Sequence, residues 1–363
     1  MRVVLSGGGT GGHVYPALAV AAALKQELSE KGPLELLYIG VRGRMDDHLM
    51  TDEIVPFRAV RASALRGRSP WGFIQGVSNL LLGTMEARKY LKKFRPHVVF
   101  ATGGYASVPV AVAARIGRRP LLVYLPDIHP GWAVRLIARL ATRIAVTSDA
   151  SLPYLPKGKT SVTGYPVRRG FLGAARDEAQ RRLGLDPSLK TLLVSGGSLG
   201  AHSINQLVAE NLPGLAALCQ IVHVSGAADL DWLTRVHDEL PEELRARHHL
   251  YPYLREEMPW AMAAADLTLS RAGASTLGEL PALGLPAVLV PGPFSDQEAN
   301  ARYLSERGAA LMLTNSHVSG AVPLLKELLN DDERLKAMSQ AARTLARPDA
   351  ASRIAGLLIE MAR

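Results

Sequence analysis

Gly7-Gly8-Gly9-Thr10-Gly11-Gly12-His13 follows the short apolar run Val3-Val4-Leu5 and leads into an Ala/Leu-rich helical pattern from Val14 to Leu28. A strand that ends in glycines before a helix lets backbone N–H groups approach an anion, and the helix N-terminus adds its partial positive charge. The imidazole of His13 ends the loop, so a proton acceptor sits where a phosphate would bind. A second opening of this kind, Ser195-Gly196-Gly197-Ser198-Leu199-Gly200, stands between the strand pattern Thr191-Leu192-Leu193-Val194 and another helix. Two such openings in the two halves of the chain predict two similar α/β domains facing one another.

Apolar runs and helical patterns alternate along the whole sequence. In the first half the runs at Val3–Ser6, Leu34–Ile39, Ile54–Val60, His97–Ala101, Leu121–Leu125, Ile144–Thr147 and Ser161–Thr163 read as strands. In the second half, Thr191–Ser195, Gln220–Ser225, His249–Tyr253, Leu267–Ser270, Ala287–Val290 and Ala310–Leu313 read the same way. Helical stretches between them predict βαβ units and parallel sheets. Pro156, Gly158, Gly164, Pro166 and Gly170 interrupt regular structure around Lys157 to Arg169, a natural boundary. The reading is therefore an amino-terminal Rossmann-like domain over 1–163, a carboxy-terminal one over 164–345, and a tail over 346–363. The helix of that tail, Asp349 to Met361, is expected to pack back onto the first domain.

With 363 residues, 48% hydrophobic and 21% charged, the chain has the composition of two globular domains. Its single cysteine, Cys219, excludes an intrachain disulfide and reads as a buried thiol on the strand Cys219–Val224. No run reaches the ~18 apolar residues of a membrane span, and the N-terminus opens on a strand rather than on a secretory signal. A reducing cytoplasmic compartment is expected. The net charge of +9 is uneven: residues 1–165 hold 22 Lys and Arg against 10 acids, and residues 166–363 hold 20 against 23. The first half therefore favours an anionic partner, whether nucleic acid, phosphate-bearing lipid or an anionic membrane.

Gly7, Gly9 and Gly12 satisfy G-x-G-x-x-G, which raises a dinucleotide enzyme. Such a unit also carries an acid at the end of its second strand for the ribose hydroxyls. Here that strand ends Tyr38-Ile39-Gly40-Val41-Arg42, with no acid, which argues against it. His13 is readable as a helix-terminal histidine bonded to a backbone carbonyl or as a proton acceptor. A third glycine turn, Gly103-Gly104-Tyr105-Ala106-Ser107, follows the strand Val98–Phe100 and offers further backbone donors. In the second half Arg271-Ala272-Gly273-Ala274-Ser275-Thr276-Leu277-Gly278-Glu279 follows a strand. Its small residues permit close approach of a ligand, and Glu279 falls about one turn into the helix, within reach of vicinal ribose hydroxyls. An acid that merely complements the helix N-terminus is the plain alternative. Ser295–Asn300 opens another helix after Pro291-Gly292-Pro293, with amide and carboxylate groups near the same strand ends.

Taken together, the opening Gly-Gly-Thr-Gly-Gly-His, the Gly103–Ser107 turn, Gly164-Tyr165-Pro166-Val167-Arg168, Gly196–Ala201 and Ser270–Glu279 occur in one order. In that order the chain resembles, over almost its whole length, the MurG family of N-acetylglucosaminyltransferases that complete lipid II in peptidoglycan synthesis. The resemblance implies a glycosyltransferase B fold with an interdomain active site, no metal ion and no cofactor. It implies UDP-N-acetylglucosamine as donor and undecaprenyl-diphospho-muramoyl-pentapeptide (lipid I) as acceptor, at the cytoplasmic face of the membrane, with other cell-wall synthesis proteins as possible partners. By position, Thr10, Gly11 and Gly12 would lie near the donor and the acceptor diphosphate, with Tyr105 in the same substrate region. Arg168 and Ser198 would contact the donor phosphates, and the backbone near Arg255 would read the uracil edge. Ala274, Ser275, Thr276, Leu277 and Gly278 would line the nucleotide, Glu279 would hold its ribose, and Gln297 would lie by the donor sugar. His13 matches the family's candidate general base.

One place departs from the family. Where it usually carries His-Glu-Gln-Asn before a Pro-Gly pair, this chain reads Tyr124-Leu125-Pro126-Asp127 ahead of Pro130-Gly131, with His129 between. Asp127 is thus a second candidate base, and a related transferase with a different lipid acceptor is the alternative reading. Trp71, Phe73, Ile74, Leu80, Leu81 and Leu82 lie among Arg66, Arg68, Arg88, Lys89, Lys92, Lys93 and Arg95. An apolar patch rimmed by cations suits an anionic membrane surface; a helix core with a solvated basic face is the plainer account. A 2-epimerase of the same fold would need no lipid. A nucleic-acid-binding protein would leave Glu279 and the four glycine-rich turns unexplained, so no nucleic-acid partner is expected.

Overall fold

The computed structural model describes residues 1–8, 11–30, 32–42, 55–63, 70–197, 200–292 and 297–363, the side chains at 70, 71, 73 and 315 excepted. Thr10 and Ser198, two of the expected substrate contacts, lie outside the described residues, as do Arg66, Arg68, Ser295 and Asp296 and the side chains of Trp71 and Phe73.

The chain divides into two compact units, Met1–Arg168 with Arg347–Arg363, and Arg169–Ala346. The first is built on strands β1 (Arg2–Ser6), β2 (Glu35–Gly40), β3 (Phe57–Ala59), β4 (Val98–Ala101), β5 (Leu121–Leu125), β6 (Arg143–Val146) and β7 (Thr160–Val162). They form one parallel sheet in the order β3-β2-β1-β4-β5-β6-β7. In the second unit β8 (Thr191–Ser195), β9 (Gln220–Val224), β10 (His248–Tyr251), β11 (Leu267–Ser270), β12 (Ala287–Leu289) and β13 (Ala310–Met312) follow the same plan, β10-β9-β8-β11-β12-β13. All thirteen strand runs read from the sequence meet a strand; the central ones are legible because parallel strands covered on both faces must be apolar at nearly every position. β5 shows this: all five of its residues are buried, whereas β3 and β7 at the sheet's edges are short and largely unburied.

In the first unit Val99, Val123 and Leu125 of the sheet pack with Val110, Ala114 and Ile137 of the covering helices. In the second, Leu192, Val194, Leu267 and Val288 pack with Ile204, Leu212 and Leu325. Each valine, leucine or isoleucine among these contributes roughly 1.5–3 kcal/mol on burial. Cys219 is free and buried just before β9, where burial pushes its thiol up to about 12.

The last helix, Ala350–Met361, belongs to the first unit and packs on the helix Gly11–Glu27, burying Ile354, Ala355 and Leu358. Arg143 of β6 holds Glu360 through two bonds of 2.7 and 2.6 Å. Gly164, at φ +93°, lets the chain pass beneath this tail; a Cβ there would collide with that of Arg347.

Candidate active site

In each unit the strand order turns outward in both directions from a central pair, β1/β4 and β8/β11. The helices that follow such a pair leave on opposite faces and open a crevice at the carboxyl ends of the strands, where open α/β sheets bind ligands. Both glycine-rich stretches fall at these points.

At the first, Gly7 and Gly8 leave β1 beside Thr102, Gly103 and Gly104 leaving β4. The two backbones are packed too closely for side chains: a Cβ at Gly7 would strike the Thr102 hydroxyl, and one at Gly104 the Gly8 carbonyl. Gly103 and Gly104 also hold φ of +97° and +73°, where only glycine is unstrained. Buried Tyr38 of β2 fixes the loop from the other side by donating its hydroxyl to the Gly7 carbonyl at 2.8 Å. Gly11, Gly12 and His13 are the first three residues of the helix Gly11–Glu27, so their N–H groups have no intrahelical acceptor.

His13 Nδ1 lies 2.8 Å from the Thr102 carbonyl oxygen. A carbonyl only accepts, so Nδ1 carries the proton and, in the neutral ring, Nε2 is the basic nitrogen. The helix-terminal and the proton-accepting readings of His13 are therefore compatible: the bond to the carbonyl sets the tautomer a base needs. Ser107 Oγ donates to the Gly103 carbonyl at 2.6 Å, and half-buried Tyr105 stands in that turn.

Asp127 follows the end of β5 and is half-buried; its carbonyl accepts from Ser151 Oγ at 3.4 Å. Beneath it the Tyr124 hydroxyl meets Thr147 Oγ1 at 2.7 Å, and burial, with the charge of Asp127, raises that phenol well above its usual range despite the Thr147 bond. His129 is engaged by Tyr154, with Nε2 2.7 Å from the phenolic oxygen and the rings edge-on at 4.4 Å. Arg168 closes the first unit, its guanidinium 4.2 Å above the ring of Tyr15, two residues beyond His13.

In the second unit Gly196 has the backbone of Gly200 and Ala201 where a Cβ would be, and Gly200 at φ +76° abuts the Ser225 carbonyl. The helix Thr276–Leu283 begins just after β11, with Glu279 in its first turn and half-buried. Thr276 Oγ1 caps the Gly273 carbonyl at 2.6 Å, while Ala274, Leu277 and Gly278 are buried and Ser275 is half-buried. Gln297 accepts from Gly292 N–H at 2.9 Å, which turns its NH2 to other partners. The N–H of Arg255 donates to Glu257 at 3.2 Å, a bond that a nucleobase reading that group would have to displace.

Two features of this unit are not among the expected substrate contacts. Arg271 ties the strand ends together, donating to the carbonyls of Val290 and Pro291 at 3.1 Å each and to Ser203 Oγ at 3.0 Å. Behind the glycine loop runs a buried polar chain. Asn205 Nδ2 donates to the Ser225 carbonyl and to Asp229, at 2.7 Å each, so its Oδ1 accepts from His223 Nε2 at 3.1 Å. His223 Nδ1 then accepts from His248 Nε2 at 3.2 Å, and His248 Nδ1 from His237 at 3.1 Å. Burial pulls His223 down to about 4 and His248 to about 3, the latter helped by the neighbouring histidines. Burial alone would raise Asp229, but donors from Trp232, His202 and Asn205 hold it below the usual carboxylate range.

Two units of this topology with glycine-lined crevices define a glycosyltransferase B fold, and the glycosyltransferase family 28 N-terminal and C-terminal domain models match residues 3–146 and 191–354. The chain belongs to the MurG family. It is 41% identical to the UDP-N-acetylglucosamine--N-acetylmuramyl-(pentapeptide) pyrophosphoryl-undecaprenol N-acetylglucosamine transferase of Roseiflexus sp. (strain RS-1), over 99% of this chain and 94% of that protein. The transferase of the same name from Halothermothrix orenii is 35% identical over the full length of both. Among solved structures, Acinetobacter baumannii MurG superposes with a TM-score of 0.73 at 25% identity, covering 99% of each chain. A UDP-GlcNAc 2-epimerase from Neisseria meningitidis reaches 0.68 at 16% identity, covering 99% of this chain and 100% of that one, a likeness of fold alone.

Proposed function

We propose that the protein transfers N-acetylglucosamine from UDP-N-acetylglucosamine to the 4-hydroxyl of the muramoyl sugar of lipid I, with inversion, forming lipid II. The observation that carries this reading is the His13–Thr102 bond, which presents a basic Nε2 at the switch point of the first sheet. Nε2 takes the proton of the acceptor hydroxyl as its oxygen attacks the anomeric carbon. The bond from that carbon to the UDP oxygen breaks, and UDP leaves carrying the negative charge. First-turn N–H groups of the helix Gly11–Glu27 and the Arg168 guanidinium stabilise the diphosphates. In the second unit Ala274–Gly278 line the nucleotide, Glu279 accepts from its ribose hydroxyls, and Gln297 donates to the donor sugar.

The acceptor requires contact with a bilayer. Among the described residues no helix is long and apolar enough to cross one. The helix Pro70–Phe94 exposes Ile74 (59%), Leu81 (64%) and Met85 (69%), and beyond them the exposed cations Arg88, Lys89, Lys92 and Lys93. Leu80, expected in this patch, instead packs against the core, because it faces inward when its neighbours face out; Met85 takes the outer position. This face supports peripheral binding at the cytoplasmic side of an anionic membrane. Vesicles with anionic lipid should bind the protein and neutral ones poorly; equal binding to both, or to neither, overturns that part.

The central test is UDP release from UDP-N-acetylglucosamine, with and without a lipid I analogue, in the presence of chelator. Acceptor-dependent release supports the reading together with its independence of metal. Donor binding without release transfers the weight to a different lipid acceptor, for which the carboxylate at Asp127 is the motive, and absence of donor binding overturns the assignment.

A further inference from the structure

We propose that a basic pocket at the amino-terminal edge of the first sheet binds the headgroup of an anionic phospholipid. The pocket, of about 760 Å³, is lined by Arg2, Lys25, Arg58, Lys89 and Lys93, with Glu35 as its one acid. It lies at the start of β1, five residues before the glycine loop, or about 16 Å along the strand. It is therefore separate from the crevice that holds His13.

The five cations come from four elements: β1, the helix Gly11–Glu27, β3 and the helix Pro70–Phe94. Cations placed to complement helix C-termini account for Lys25 and Lys93, each in a last turn. They do not account for Arg2 and Arg58, which sit on strands. Arg2 is held in place, its Nε donating to the Arg95 carbonyl at 2.9 Å. Among the described residues none of the five forms an ion pair. Like charges crowded around one concavity repel one another and are relieved by an anion. The walls are apolar, Leu36, Val55, Tyr90 and Phe94 among them, so the fitting ligand carries a phosphate beside an apolar body. A volume of this size is in the range of small-molecule sites.

The occupant follows from the helix that supplies Lys89 and Lys93. Its exposed apolar residues Ile74, Leu81 and Met85, and then Lys92, are spaced by seven, four and seven, so they share one face. Met85 and Lys89 are one turn apart, about 6 Å along the axis. A helix lying with this stripe in the acyl boundary carries the pocket to the level of the headgroups. The arginines would fork onto the phosphodiester and the lysines neutralise it as point charges. This inference rests on the peripheral membrane reading above and adds a stoichiometric site to it.

The test is calorimetric titration of the full chain with dihexanoyl phosphatidylglycerol below its micelle concentration. Dihexanoyl phosphatidylcholine and glycerol 3-phosphate form the other arms. Wild type, Arg58→Ala/Lys93→Ala and a control of equal charge, Arg115→Ala/Lys157→Ala, are compared. The expected result is saturable one-to-one binding of phosphatidylglycerol alone, weakened at least about tenfold by the pocket pair and less than about twofold by the control, as charged hydrogen bonds predict. Equal loss in both pairs means diffuse attraction and overturns the site. Equal affinity for glycerol 3-phosphate overturns the lipid in favour of a soluble organic phosphate. No titration, with anionic vesicles still bound, removes the pocket and leaves the membrane reading standing; failure of vesicle binding as well removes both.

Discussion

His13 and Thr102 bond to each other twice: His13 Nδ1–H donates to the Thr102 carbonyl at 2.8 Å, and Thr102 Oγ1 donates to the His13 carbonyl at 2.7 Å. One bond fixes the ring tautomer and the other fixes the backbone that carries the ring. The pair joins the first turn of the helix that follows β1 to the loop after β4, the two strands that flank the switch point.

Their roles separate by mutation. His13→Ala removes the base and should lower kcat by at least ~10²-fold, the scale of general acid–base catalysis, with UDP affinity unchanged. Thr102→Val keeps the carbonyl and loses only the hydroxyl, which lies 2.7 Å from the His13 carbonyl and 3.5 Å from that of Ser6, so kcat should fall by less, on the order of tenfold for about 1–1.5 kcal/mol. Asp127→Asn is the control. If it, and not His13→Ala, abolishes turnover, the base is Asp127.

Glycines of the crevices divide into those that fold the loop and those that admit a ligand. Gly104→Ala places a methyl against the Gly8 carbonyl at a φ of +73°. It should cost about 2–4 kcal/mol and lower the melting of the first unit by several degrees. A Cβ at Gly273 would meet nothing within 4 Å. Gly273→Ala should therefore leave melting unchanged, while KM for the donor rises if nucleotide packs there. Differential scanning calorimetry and initial rates read the two effects separately.

Glu279→Gln keeps the shape and removes the charge. If the carboxylate accepts from ribose hydroxyls, UDP binding should weaken by roughly 10–100-fold, as expected for about 1.5–3 kcal/mol per charged hydrogen bond. KM should rise with kcat little changed. A Glu279 that only complements its helix N-terminus would instead cost stability of about 0.3–1 kcal/mol and leave UDP affinity alone. Titration calorimetry with UDP decides between them.

The sheets were legible because β5 is apolar throughout and the middle of β1 is Val3-Val4-Leu5, a pattern that strands buried on both faces require. Glycine runs marked where the strands end. What stayed hidden depends on neighbours distant in sequence. Thr102 reads as an ordinary strand end until β1 is laid beside β4 and His13 arrives 89 residues from its partner. Leu80 and Leu81 look alike in a run of three leucines, and only the rotation of the helix sends one inward and the other out. Arg271 opens a stretch that stands out, but its bonds to Val290, Pro291 and Ser203 join residues distant in sequence, and no short motif announces a buried polar chain assembled from Asn205, His223, His237 and His248.

That chain predicts a pH dependence of folding. His223 and His248 hold values of about 4 and about 3 in the folded protein against an ordinary 6.5. Between those limits the unfolded chain binds protons that the folded chain refuses, so stability rises with pH across this window and falls as pH drops from 6.5 toward 4. Below about 3 both histidines are protonated in either state and their part of the dependence ends. Each histidine contributes a slope of up to ~1.4 kcal/mol per pH unit, and His249, also lowered by burial, adds in the same direction. Asp229 pulls the same way at the acid end of the range, since its carboxyl is held below the usual value. Urea unfolding of the protein at pH 7, 6, 5 and 4 measures the slope. His248→Met, neutral throughout, should be less stable at pH 7 because His223 and His237 lose their partner, yet its stability should fall less steeply with acid. An unchanged slope in that variant would mean that His248 is not held neutral by the fold.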